Sequence, residues 1–73
     1  MKKLVLNRIA EVLKEEGRTN QWLAAEMKVH ENTVSKWATN RQQPRLSQFY
    51  EMSILLRCDM RELFVSPTPG AKH

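Results

Sequence analysis

The stretch that decides the fold runs from Thr19 to Trp37 and reads TNQWLAAEMKVHENTVSKW. Leu23 and Met27 lie four residues apart with Trp22 partly on their side, and Val34 and Trp37 lie three apart. These are the spacings of one face of an α-helix, met twice, on either side of Lys28-Val29. Thr19 stands where an N-cap is wanted, since its hydroxyl can accept from a free amide of the following turn. His30 stands in the same place, as a weaker cap, before the second run. The stretch is expected to form two short helices, residues 20–27 and 31–38. Ala24 is small where the two would cross, and Val34 is apolar where it would plug the space between them.

The same period continues outward in both directions, and strand alternation is found nowhere. Leu6, Ile9 and Leu13 are spaced three and four apart beside Leu4, Val5 and Val12, which predicts a first helix over 3–16. Gly17 fits just past its end, where a left-handed residue is needed. Residues 39–44 make a polar loop closed by Pro44. A fourth helix is expected over 46–56, with Leu46, Phe49, Met52, Ser53 and Leu56 facing inward. Asp59 and Glu62 have capping-box spacing ahead of a last short helix ending near Leu63-Phe64. The reading is all-α: five short helices in one domain, 1–65, followed by a flexible tail, 66–73. The tight joint of roughly three residues between the second and third helices gives a helix-turn-helix.

Length and composition agree with one small domain. Of 73 residues 41% are hydrophobic, too many for a disordered chain, and 27% are charged. The single cysteine, Cys58, excludes an intramolecular disulfide. Small secreted domains usually need such staples, so a reducing cytoplasm is the expected location. Cys58 sits at an apolar position and is expected to be buried and inert. Lys2-Lys3 before Leu4-Val5-Leu6 resembles the start of a signal peptide, but Asn7, Arg8 and Glu11 cut the apolar run short. No stretch approaches the roughly 18 apolar residues of a membrane span, so no membrane partner is expected. So short a chain leaves little room for a core, a pocket and a lid together, and Ser, His and Asp are nowhere spaced as a catalytic set. The protein is not expected to be an enzyme. No cofactor is implied, and His30 has no second ligand at a spacing that would hold a metal.

Charge carries the first functional information. Twelve Lys and Arg against eight Asp and Glu give a net charge of +4. The excess is concentrated: between Asn32 and Tyr50 lie Lys36, Arg41 and Arg45 and no acidic residue. The acids gather in Glu11, Glu15, Glu16 and Glu26, and again in Glu51, Asp59 and Glu62. A basic middle between more acidic flanks suits a surface that faces a polyanion.

Taken in order, the motifs resemble the Cro/lambda-repressor-like helix-turn-helix family, the XRE class. They are Arg8-Ile9, Gly17-Arg18-Thr19, Leu23-Ala24, Thr33-Val34-Ser35-Lys36-Trp37, Pro44-Arg45-Leu46 and Glu62-Leu63-Phe64. The resemblance covers about residues 7–64. It implies a compact five-helix lambda-repressor-like domain that binds double-stranded DNA and regulates transcription, by family habit as a repressor. Three positions depart from the pattern. Lys28 and Arg57 stand where the family often has Gly, and Arg45 is a poor cap after Pro44. A lysine at the turn must adopt a left-handed conformation or shift the turn, at a cost of about 1 kcal/mol.

In that setting the outer face of the third helix is free of structural duty and can enter the major groove. Asn32 can bond adenine in a bidentate way, Lys36 can donate to guanine, and Glu31 can accept from cytosine; Ser35 shares their two turns. For Glu31 a second reading stays open, that it simply favours the positive helix end. The resemblance places Asn20 against the sugar-phosphate backbone, with Gln21 beside it at the start of the second helix. Asn40, Arg41, Gln42 and Arg45 would hold the backbone on the other side, and His30 is a cap or a phosphate neighbour. Trp22 and Trp37 read as packing residues rather than base-stacking platforms.

Helix four carries more apolar residues than its inner stripe needs. Tyr50, Ile54 and Leu55, with Val65, read either as further core or as the interface of a homodimer. A homodimer would take a near-palindromic operator. Two alternatives share the fold: an antitoxin that also binds a toxin partner, and a restriction-modification controller.

Overall fold

The computed structural model describes residues 4–65. Four α-helices follow in order, α1 Ile9–Glu15, α2 Asn20–Met27, α3 Glu31–Ala38 and α4 Leu46–Leu56, and a 3-10 turn spans Met60–Leu63. No strand occurs among the described residues, where one isolated antiparallel bridge joins Asn7 and Phe64. The architecture is the expected all-α one. The expected tail, 66–73, lies outside the described residues.

α2, α3 and α4 begin and end where the sequence places them. The Thr19 hydroxyl accepts from the Trp22 amide at 3.0 Å, as an N-cap should. Gly17 is left-handed, with φ 69. His30 precedes α3 without a side-chain capping bond, so its capping role is not realised. Arg45 is no side-chain cap either. Instead Gln48 Oε1 reaches back to accept from the Arg45 amide at 2.8 Å, half of a capping box. Asp59 caps the last turn by accepting from the Arg61 amide at 2.8 Å, and pairs with Arg61 rather than boxing with Glu62.

The largest departure is at the start. α1 begins at Ile9 rather than residue 3, and Leu4, Val5 and Leu6 are exposed and non-helical. Two things stop the helix. Asn7 Oδ1 accepts from the Ile9 amide two residues on, an Asx-type turn that competes with helix. Leu6 is also held in extended company, its carbonyl accepting from the Val65 amide at 2.9 Å. The apolar period at residues 4–6 therefore reported a strand-like segment. Leu46 is the second correction. It opens α4 and faces solvent instead of the core.

The core joins every helix. Ile9, Val12 and Leu13 of α1 meet Leu23 and Met27 of α2, Val34 and Trp37 of α3, and Phe49, Met52 and Leu56 of α4, with Leu63 closing the end. α2 and α3 form the most intimate pair, packed over buried Ala24 and Val34. The Phe49 and Phe64 rings stack with centroids 4.4 Å apart. In so small a domain each such contact weighs heavily. Net stability runs near 0.1 kcal/mol per residue, while truncating one buried leucine costs about 2–5 kcal/mol.

Candidate nucleic-acid interface

α3 carries two faces. At roughly 100° per residue, Val34 and Trp37 fall on one side and Asn32, Ser35 and Lys36 on the other, with Glu31 and Ala38 together at the boundary. Val34 and Trp37 are buried; Glu31, Asn32 and Lys36 are exposed and Ser35 is half-buried. The division follows from the sequence, since the apolar residues three apart can reach α2 only by turning their neighbours outward. Among the described residues the side chains of Glu31, Asn32 and Lys36 make no hydrogen bond or ion pair within the chain. Their donors and acceptors are available to a ligand.

Exposed basic groups flank this face. Arg41 and Arg45 follow α3 in the loop and are both solvent-accessible. Gln42 is exposed between them. At the start of α2, Gln21 is exposed and Asn20 half-buried. There the Thr19 hydroxyl has taken the Trp22 amide, which leaves the Asn20 and Gln21 amides pointing out of the helix end. His30 is exposed at the turn between the two helices. Two acidic residues of α1 are paired: Glu11 and Glu15 lie against Arg8 at 2.8 and 3.4 Å. The turn itself is made by Lys28, which adopts the left-handed conformation with φ 59 and ψ 45.

A helix-turn-helix family model matches residues 9–63, most of the chain, in the XRE class. The chain belongs to this helix-turn-helix family. A crystal structure of a Bacteroides fragilis protein, provisionally described as DNA-binding, is similar to it. That protein is 45% identical, the match covers 85% of this chain and 100% of the other, and the TM-score is 0.82. None of the curated proteins matches. Family membership fixes which pair of helices is the helix-turn-helix, α2 and α3. It leaves the duties of single side chains to be argued from this structure.

Asn40 is not a free backbone-binding side chain. It is half-buried and left-handed, and its amide bonds the N-terminal segment at Leu6 and Asn7. Leu55 is half-buried against the core, well round α4 from the exposed residues. Leu46, Tyr50 and Ile54 follow one another at four-residue steps and are 71, 62 and 61% exposed. Val65 is exposed as well. Trp37 is core, and Trp22 is half-buried with the Arg18 guanidinium 4.5 Å from its ring centroid. That cation–π contact covers one ring face.

Sequence reasoning missed Asn7 and Gln43, which hold the loop after α3 in place. The signal for Asn7 was a short amide side chain directly ahead of an apolar helical run, the usual site of an Asx turn. Gln43 carried no signal, since its partners lie far away in sequence. Cys58 is half-buried rather than fully buried. Burial first, then Glu62 and other nearby carboxylates, push its thiol up, which makes it less reactive.

Proposed function

We propose that this protein is a sequence-specific, double-stranded DNA-binding regulator of transcription, acting in the cytoplasm as a homodimer and most simply as a repressor. The observation that carries the reading is the outer face of α3. Asn32 and Lys36 stand exposed and unpartnered on a helix whose other face is locked into the core, beside a stretch without acidic residues from 32 to 50. α3 would lie in the major groove, with Asn32, Lys36, Ser35 and Glu31 toward base edges. Arg41, Gln42, Arg45, Gln21, Asn20 and His30 would meet phosphates on either side and fix the register. The Bacteroides fragilis relative, described provisionally as DNA-binding, supports the same reading.

One recognition helix reads too few base pairs to single out a site, which is why a pair is needed. The stripe Leu46, Tyr50 and Ile54 is the surface proposed to join two copies. Two α3 helices related by a two-fold axis would enter successive major grooves about 34 Å apart, so the operator would be a near-palindrome with half-sites about 10 base pairs apart. The test is selection from a random duplex pool. A near-palindromic consensus of that spacing supports the proposal, and failure to enrich any sequence overturns it.

A further inference from the structure

Asn7 is 3% exposed, and its side-chain amide is fully engaged. Its Oδ1 accepts from the Ile9 amide at 3.0 Å, and its Nδ2 donates to the Trp37 carbonyl at 3.0 Å and to Gln43 Oε1 at 2.7 Å. Asn40 answers from the other side. Its Oδ1 accepts from the Leu6 and Asn7 amides at 2.8 and 2.9 Å and from Gln43 Nε2 at 3.1 Å, and its Nδ2 donates to the Asn7 carbonyl at 3.1 Å. These bonds tie together three pieces of chain: the segment before α1, the C-terminal end of α3, and the loop that follows it.

Within that loop the network holds positions 40 and 43, both turned inward, and buried Pro44 follows. Arg41 and Gln42 are left between them, exposed. Their amides both donate to the Lys36 carbonyl, at 2.9 and 3.2 Å. A turn whose two ends are bolted and whose middle amides are both bonded fixes the backbone positions from which its side chains leave. Asn40 is the hinge of this arrangement, because it alone in the loop adopts a left-handed conformation, φ 59.

We infer that Asn7 and Asn40 form a positioning pair for DNA-backbone contact, an inference that rests on the DNA-binding reading above. The pair holds Arg41 and Gln42 in the orientation that meets phosphate before DNA arrives, so binding does not have to order the loop. Neither amide touches DNA. Both act through the two residues they aim.

The test is Asn40→Gly, since glycine accepts the left-handed backbone while losing all four amide bonds. Binding to the selected duplex is measured well below the melting temperature of each protein. Asn40→Gly is expected to bind about tenfold more weakly, the cost of ordering roughly one backbone residue on binding. In an Arg41→Ala, Gln42→Ala background the same change should alter affinity less than about twofold, because nothing is left to aim. Without DNA, hydrogen exchange at the Arg41 and Gln42 amides should quicken. Should Asn40→Gly fail to fold, Gln43→Ala removes only part of the network and should show the same coupling at a smaller size. Equal affinity of wild type and Asn40→Gly overturns the inference. So does an equal loss in both backgrounds, or unchanged exchange at the two amides. Wild type binding no duplex at all would instead sink the DNA-binding reading on which the pair depends.

Discussion

Lys28 and Arg57 share one backbone conformation, φ 59, ψ 45 and φ 55, ψ 45, each one residue beyond the end of a helix. The Lys28 amide closes onto the carbonyls of Ala24 and Ala25, and that of Arg57 onto those of Ser53 and Ile54. The helices therefore end in left-handed caps built without glycine. A side chain there costs about 1–2 kcal/mol, against roughly 0.5–1 kcal/mol of extra chain entropy that glycine would lose. The steric cost is the larger. Lys28→Gly and Arg57→Gly should each stabilise the domain by about 0.5–1 kcal/mol, a rise of a few degrees in melting temperature. Thermal melts of the two variants check this, and a fall at both positions would mean that the long side chains contribute packing along their stems.

Base reading and phosphate gripping can be separated by salt. Asn32→Ala and Lys36→Ala should each cost about 1–3 kcal/mol on the selected operator and blur preference at one position per half-site. Arg41→Ala should weaken every duplex alike and flatten the slope of log affinity against log salt by about 0.9. Melting temperatures should hardly move, since exposed substitutions of this kind stay within about 0.5 kcal/mol. Equal losses by Asn32→Ala on all sequences would make it a phosphate contact.

Association should depend on Ile54. A glutamate there would place a charge at one end of the Leu46–Tyr50–Ile54 stripe, and Ile54→Glu should give a folded monomer. That monomer should keep weak affinity for duplex DNA and lose most of its preference for two half-sites over one. Sedimentation at micromolar concentration reads the first effect and titration of half-site and full-site duplexes the second. A wild type that sediments as a monomer would leave the stripe without this role.

Asp59 supplies an acid-sensitive element. Its side-chain hydrogen bond to Arg61, then its bond to the Arg61 amide, lower its pKa from 3.8 to about 2. A carboxylate with a lowered native pKa contributes stability above its unfolded pKa and loses it as pH falls through the native one. The contribution of Asp59 is thus present above about pH 4 and fades between about 4 and 2. The pair is open to water, so the effect is small. The difference in stability between wild type and Asp59→Asn should shrink over that interval and be flat above it. A difference that persists at pH 2 would assign the effect to the cap geometry and not to charge.

How far the sequence could be read depends on the range of the interactions. Thr19, Val34 and Trp37 were legible because a cap and an apolar period are local, and they set both ends and the outward face of the helix-turn-helix. The amphipathic pattern at Leu4–Leu6 misled because a strand-like segment and a helical turn share short apolar runs, and what decides between them is the Val65 amide, far away in sequence. Asn40 looked like a phosphate ligand for the same reason. Its polar side chain in a basic loop gave no hint that Asn7 would claim it. Leu46 and Leu55 exchanged places because both flank the inner stripe of α4, and periodicity cannot tell which flank its neighbours cover.

The bond between the Val65 amide and the Leu6 carbonyl brings the two ends of the described chain to one spot. Between Leu6 and Val65 the path of the backbone is in effect a ring with a small gap. A short linker joining Val65 to Leu6 in place of residues 66–73 and 1–5, with a new opening in the exposed turn at Gly17 and Arg18, would produce a circular permutant starting at α2. Such a chain would synthesise the helix-turn-helix first and α1 last. If it folds, the order in which the helices are made is incidental, and the fold belongs to their mutual packing alone.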